Sequence, residues 1–132
     1  MEEDLVARLL AAVGLSALVG TRVYWGERPQ GDALPAIVMH GISPGQDYSH
    51  SGPLSLRNPR IQFDCLGETF ESTKLVERAL TAALHQSPVI QGSTRFEGAF
   101  LALGRDAGTD TLAGGQKVHT LSNDFIIWNR PV

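Results

Sequence analysis

The sequence predicts an α+β fold in two layers, with a mostly antiparallel β-sheet of about five strands packed against two helices. Residues 60–66 alternate between apolar and polar side chains, as a half-buried strand does. A short turn joins them to residues 69–85, where apolar positions recur at helical spacing. Two further runs with strand periodicity, residues 95–104 and 117–128, are expected to pair as a hairpin. The helix predicted over residues 69–85 can therefore cover one face of the sheet.

Length and composition indicate one domain and exclude several classes of function. The chain has 132 residues, of which 42% are hydrophobic, so a single domain over residues 1–132 can bury a substantial core. Its 11 basic and 14 acidic residues are scattered, which disfavours binding to nucleic acid or to an anionic membrane. The only cysteine, Cys65, cannot form an internal disulfide, and no stretch approaches the roughly 20 apolar residues of a membrane span. The acidic start, Met-Glu-Glu-Asp, is unlike a signal peptide, so synthesis in a reducing cytoplasm is expected.

The N-terminal half is expected to form helices and then strands. The first helix should begin in the acidic residues 2–4 and end at Gly14, because glycine is favoured just past a helix C-terminus. Residues 15–19 read as one more short turn of helix. Strands are expected over residues 21–25 and 36–42, and the second of these is apolar enough to be buried on both faces.

The two periodicities also predict which side chains face the core. Along the strand 60–66, alternation places three apolar side chains on the covered face: Ile61, Phe63 and Cys65. The helix that follows should present one apolar stripe to that face: Leu75, Val76, Ala79, Leu80, Ala83 and Leu84. In the strand 95–104, alternation puts Phe96 and Phe100 on one face and Ala99 on the other.

Two polar segments are too long for tight turns. Residues 43–59 are rich in serine, glycine and proline, and they are expected to form a projecting hairpin, an arm that orders on contact, or a floppy connection. Residues 106–116 contain three glycines and connect the last two strands. Long connections inside a compact domain are commonly functional.

No pattern in the chain supports catalysis or a bound cofactor. The glycines of residues 108–117 lack the Gly-Lys-Ser/Thr spacing of a phosphate-binding loop. The four histidines lie on different predicted elements without zinc-site spacing, and His40 and His119 are expected to be hydrogen-bonded sheet residues. Residues 49–51, Ser-His-Ser, lack a third group to orient a base, and Cys65 should be buried and inert. The sequence therefore predicts a protein that is not an enzyme, with no cofactor and no metal.

Segments along nearly the whole chain carry a family resemblance. Besides the acidic first helix and the helix that ends Ala-Ala-Leu84, they are Leu-Val-Gly at 18–20, Arg-Val-Tyr-Trp at 22–25, Pro-Gln-Gly-Asp-Ala-Leu-Pro-Ala at 29–36, Arg-Ile-Gln-Phe-Asp at 60–64 and Ser-Asn-Asp-Phe-Ile-Ile-Trp at 122–128. In this order the segments resemble the tail terminator or tail-completion proteins of long-tailed bacteriophages and of gene transfer agents.

The resemblance implies a structural virion protein at the head-proximal end of the tail, synthesised in the bacterial cytoplasm. It implies a homo-oligomeric ring, by analogy a hexamer, that caps the tail tube, terminates its growth and provides the attachment surface for the head connector. The implied partners are further copies of the chain, the tail tube protein and the head-tail connector protein, with DNA only as passing cargo in the lumen and no membrane. The alternative is another head-tail connector, a minor tail component or an adaptor module.

The length and polarity of the two long loops lead to the hypothesis that they make contacts between subunits or between rings. The residues expected at these contacts are Asp47, Tyr48, His50 and Arg57 in the first loop and Asp106 and Asp110 in the second. Deletion of residues 46–57 is then expected to leave a folded monomer that fails to assemble.

Overall fold

A computed structural model describes residues 1–112 and 114–132. Within them lie three helices: α1 (Glu2–Ala11), α2 (Val13–Val19) and α3 (Phe70–Leu84). The same residues form eight strands: β1 (Val23–Trp25), β2 (Ala36–Ser43), β3 (Gln46–Ser49), β4 (Gly52–Arg57), β5 (Arg60–Gly67), β6 (Val89–Gln91), β7 (Thr94–Thr111) and β8 (Lys117–Pro131).

All eight strands belong to one mixed sheet. Its backbone order is β1-β2-β5-β8, with β7 on the far edge of β8 and β6 beyond the start of β7. Only β1 and β2 pair in parallel, and every other pair is antiparallel. The predicted α+β class is confirmed, but the expected five strands and two helices were too few.

β8 lies at the centre of the sheet. One edge pairs with β7 along the whole length of β8, and the other edge pairs with both β5 and β4. Arg60 lies opposite Ile126 and Arg57 lies opposite Asn129, so the register continues unchanged across residues 58–59. β4 and β5 are therefore one strand interrupted by Asn-Pro.

The chain from β2 to β5 forms one long hairpin. β2 pairs with β5, and after a register shift near Gly41 the pairing continues between β3 and β4. The Asn58 N–H donates to the Gly45 carbonyl at 2.9 Å and joins the two parts. Residues 43–59, predicted as a long loop, are thus mostly two strands that turn at residues 50–51.

The core lies between the helices and one face of the sheet. Ile61, Phe63 and Cys65 are buried there, as the alternation of the strand predicted. The ring of Phe63 meets that of Phe125 edge to face, with centroids 5.7 Å apart. The other main core side chains are Leu5, Leu9, Leu15, Val19, Ile37, Met39, Val76, Leu80, Leu84, Phe96 and Ile127.

α3 begins and ends where the sequence predicted. The Thr69 hydroxyl accepts a hydrogen bond from the Ser72 N–H, and the Ser72 hydroxyl accepts one from the Thr69 N–H, which forms a capping box. The side chain of Glu77 accepts a hydrogen bond of 2.9 Å from the Asn123 amide and so ties the helix to β8. The expected apolar stripe is confirmed except at Leu75, which is 51% exposed, and Thr73 occupies the buried position instead.

The first helical segment ends earlier than expected. α1 ends at Ala11, and Ala12 has extended backbone angles, so the predicted end at Gly14 is wrong. Gly14 lies inside α2. Leu15 and Val19 of α2 enter the core beside Leu5 and Leu9 of α1.

Bulges overturn the alternation expected along β7. Phe96 and Ala99 are both buried, whereas Phe100 is 60% exposed. A register shift between Phe96 and Gly98 inserts one extra residue, which moves the side chains up to the next shift, Phe100 among them, to the opposite face. Two further shifts follow along the strand, and such shifts cannot be read from a simple period of two.

The side chain of Arg8 connects α1 to the C-terminal end of α3. The Nη2 atom of Arg8 lies 3.1 Å from the carbonyl oxygen of Ala83, 3.2 Å from that of Leu84 and 2.6 Å from that of Gln86. The carbonyls of Ala83 and Leu84 lie in the last turn of α3, and that of Gln86 lies just beyond it, so the guanidinium caps the negative end of the helix. The guanidinium also lies 5.0 Å from the centre of the Phe96 ring.

Replacing Arg8 with methionine is expected to lower the free energy of unfolding by about 2–3 kcal/mol, because buried carbonyls lose a charged donor. Arg78→Met is the control, since Arg78 lies exposed on α3 and its loss removes the same charge. Urea unfolding followed by circular dichroism measures both variants. Equal unfolding midpoints for the two would contradict the role given to Arg8.

Candidate assembly site

The first group of predicted contact residues lies on a projecting hairpin, here called the arm (residues 46–57). Asp47, Tyr48, His50 and Arg57 are all exposed, and Tyr48 is 72% exposed. No helix covers the arm in the described part of the chain. Its side chains are therefore presented to solvent by a short two-stranded ribbon.

The arm is internally bonded. Gln46 lies opposite Arg57, and the Gln46 side chain donates to the Leu54 carbonyl at 2.9 Å. At the base, the φ of Gly45 is +59°, and a Cβ atom there would lie 2.2 Å from the carbonyl carbon of Asn58. Only glycine permits this close approach of the two strands. Of the three alternatives for residues 43–59, the structure shows the projecting hairpin.

The second group lies on the β7–β8 hairpin, whose outer end is here called the tip (residues 106–116). The Asp106 carboxylate accepts a hydrogen bond of 2.8 Å from the Gly108 N–H and lies 3.1 Å from Nε2 of His119. Nδ1 of His119 lies 2.6 Å from the Thr109 hydroxyl, which confirms His119 as a hydrogen-bonded sheet residue. Asp110 is exposed on the same hairpin, and Ala113 lies outside the described residues.

The register of β8 places the arm and the tip at opposite ends of the sheet. The arm continues past the pairing of Arg57 with Asn129, near the C-terminal end of β8. The tip lies beyond the pairing of Thr111 with Lys117, at the N-terminal end of β8. The six predicted residues therefore form two separate surfaces.

The sheet face opposite the helices carries a polar network that the sequence did not predict. The Asp64 carboxylate accepts hydrogen bonds from the Ser122 hydroxyl at 2.6 Å and the Gln62 amide at 2.9 Å. Nε2 of His40 lies 3.2 Å from the same carboxylate. The Ser122 hydroxyl donates its hydrogen bond to the Asp64 carboxylate and not to the His40 imidazole. The imidazole is therefore not placed to act as a base on this hydroxyl. Next to this cluster, Arg60 pairs with the buried Asp124 at 3.0 Å.

An apolar groove lies on the same uncovered face. Leu56, Phe100 and Trp128 line it, with Glu97 and Arg130 at its rim. Sequence reasoning missed this groove because the bulge in β7 turns Phe100 away from the core. The polar network was also missed. Its signal in the sequence was the alternation of polar residues along the strands β5 and β8, which are neighbours in the sheet.

The buried thiol of Cys65 lies below this face, in the core. Burial raises the pKa of the Cys65 thiol, and the negative charges of Glu77 and Asp64 raise it further. The reactive thiolate is therefore scarce at neutral pH.

No group of three or more His, Cys, Asp or Glu side chains in residues 1–112 and 114–132 is placed to hold a metal ion. None of the helices among these residues is long and apolar enough to cross a membrane.

The fold is thus an α+β domain with two exposed hairpins at opposite ends of one sheet. The family model of tail completion protein gp17 matches residues 3–121, and the chain therefore belongs to that family. It is a structural protein of the virion tail, as the resemblance implied.

A solved structure shows the same fold. A chain in the structure of the virion of a native gene transfer agent particle superimposes with a TM-score of 0.67 and 16% sequence identity. The match covers 98% of this chain and 94% of that chain. No curated protein matches the sequence.

Cys65 is expected to react with a thiol reagent such as Ellman's reagent at least about 100-fold more slowly in the folded protein than in urea, because the thiol is buried and protonated. The urea-unfolded chain is the internal control, since it contains the same single thiol. Absorbance of the released product measures both rates. Similar rates in the two states would contradict the burial of Cys65.

Proposed function

We propose that copies of this chain form a closed ring that caps the tail tube, terminates tube growth and provides a surface for the head connector. The observation that carries the proposal is the position of the arm and the tip at opposite ends of one sheet. A capping ring needs two contact surfaces that face in opposite directions. One of these hairpins would meet the tube and the other the connector.

The exposed apolar side chains of the arm support a contact role. Tyr48 is 72% exposed, Leu54 is 44% exposed and Leu56 is 38% exposed. Exposed apolar side chains on both faces of one projecting element are unfavourable in water and are commonly covered by a partner. With Asp47 and Arg57 beside them, the arm has the mixed apolar and charged surface typical of protein interfaces.

The ring would consist of six copies, by analogy with the tail proteins that the sequence resembles. Its partners would be the tail tube protein on one side and the head-tail connector protein on the other. The net charge of -3 suits a lumen through which DNA passes without binding, because phosphate binding needs clustered basic residues.

Removing the arm tests the proposal. Residues 46–57 are replaced by Asn-Gly, since Gly45 and Asn58 already share a hydrogen bond and can flank a tight turn. We expect a folded monomer whose melting temperature stays within about 5 °C of the full chain, because the arm contributes nothing to the core. Electron micrographs and sedimentation should show no rings. Tails assembled with this variant in place of the full chain should be abnormally long.

A control variant keeps the length of the arm and replaces only His50 and Ser51 with Asn-Gly. Rings in the control but not in the shortened variant would assign assembly to the strands of the arm. Normal rings and normal tail length with the shortened variant would defeat the proposal. A full-length chain that stays monomeric and binds a tail protein without a tube would favour a connector, minor tail component or adaptor instead.

A further inference from the structure

Two long strand edges lack a partner within residues 1–112 and 114–132. β6 pairs with β7 only at residues 94–96, which leaves residues 97–111 with one unpaired edge. On the opposite side of the sheet, β1 pairs with β2 only at residues 37–39. The edge formed by residues 41–49 is therefore also unpaired, with Pro44 between β2 and β3.

The hydrogen bonds of β8 show which backbone groups of β7 point to its unpaired edge. The Ile127 N–H donates to the Pro59 carbonyl, so odd-numbered residues of β8 turn toward β4–β5 and even-numbered ones toward β7. The bond from the Leu112 N–H to the Gln116 carbonyl agrees with this alternation. Residues of β7 opposite the odd-numbered positions therefore point their backbone groups outward: Ala99, Leu101, Gly104, Asp106, Thr109 and Thr111.

The side chains along this edge do not protect it. Residues 97–111 contain no lysine and no proline, the residues that commonly block an edge strand, and residues 98–104 carry no charge. Phe100, Leu101 and Leu103 are 60%, 55% and 47% exposed. An apolar edge with unpaired backbone groups favours pairing with a further strand.

The directions of the two unpaired edges are complementary. Neighbouring strands from β2–β3 through β4–β5 and β8 to β7 alternate in direction, so β7 runs opposite to β2–β3. Rotating one copy onto the next about an axis parallel to the strands leaves the direction of every strand unchanged. It would bring the β2–β3 edge of one copy beside the β7 edge of the next as an antiparallel pair.

We propose that β7 around Leu101 of one copy pairs with β2 around Gly41 of the next copy, because the register places these two residues at the same height, so that the sheet continues from subunit to subunit. This inference rests on the proposed ring and names the strands that close it. The contact joins two unlike surfaces, which is the kind of interface that generates a ring when the rotation closes. The bulges of β7 bend the edge, which suits a curved wall better than a flat fibre.

Leu101→Pro tests the pairing, with Leu101→Ala as the matched control. Proline removes an outward N–H that no strand of the same subunit uses, whereas alanine removes the same exposed side chain and keeps the N–H. We expect both variants to show the native circular dichroism spectrum, and only Leu101→Pro to lose ring assembly, by at least about 10-fold in the concentration required. Rings of folded Leu101→Pro at the wild-type concentration would overturn the proposed pairing and leave the proposed ring intact.

Hydrogen exchange of the unaltered protein gives a second test that does not depend on a variant folding. The outward amides of Ala99 and Leu101 should exchange at least about 10-fold more slowly in rings than in the dilute monomer. Equal exchange in both states would also overturn the pairing. A wild-type chain that forms no ring, either alone or on tail tubes, would instead overturn the proposed function and this inference with it.

Discussion

The rest of the structure depends on the continuous pairing of β8 with two neighbours. β7 follows one edge of β8 to its end, and the interrupted strand β4–β5 follows the other edge without a change of register. Because the Asn58–Pro59 interruption does not break the register, the arm extends rigidly from the core sheet rather than from a loop. The same pairing sets the tip at the other end, so the opposed positions of the two hairpins follow from one strand.

Sequence periodicity predicts the helices and strands that bury only one of their faces. The strand 60–66 and helix α3 were found because one face of each is apolar, and the packing of Ile61, Phe63 and Cys65 follows from it. The arm was expected as a hairpin only among three alternatives, because both of its faces meet water and it shows no period of two. The bulges of β7 and the helix break at Ala12 were missed because tertiary packing, not local propensity, determines them.

The candidate site was predictable in its position along the chain but not in its geometry. Length and polarity marked both hairpins, yet only the register shows that they point in opposite directions. Asp106 was expected to make contacts with other chains, and the structure gives it partners within its own hairpin, at Gly108 and His119. The polar network around Asp64 and the groove at Trp128 needed side chains from several strands to be brought together. Family membership assigns the chain to the virion tail, and the proposed ring would use the edges and hairpins of its sheet.

An image reconstruction of the assembled ring by electron cryomicroscopy, alone or on a tail tube, tests the central claim most directly. The expected result is a closed ring in which all arms lie at one rim, all tips lie at the other, and strands run from subunit to subunit. A reconstruction in which arms and tips share one rim, or in which the chain occupies the tail as a single copy, would contradict it.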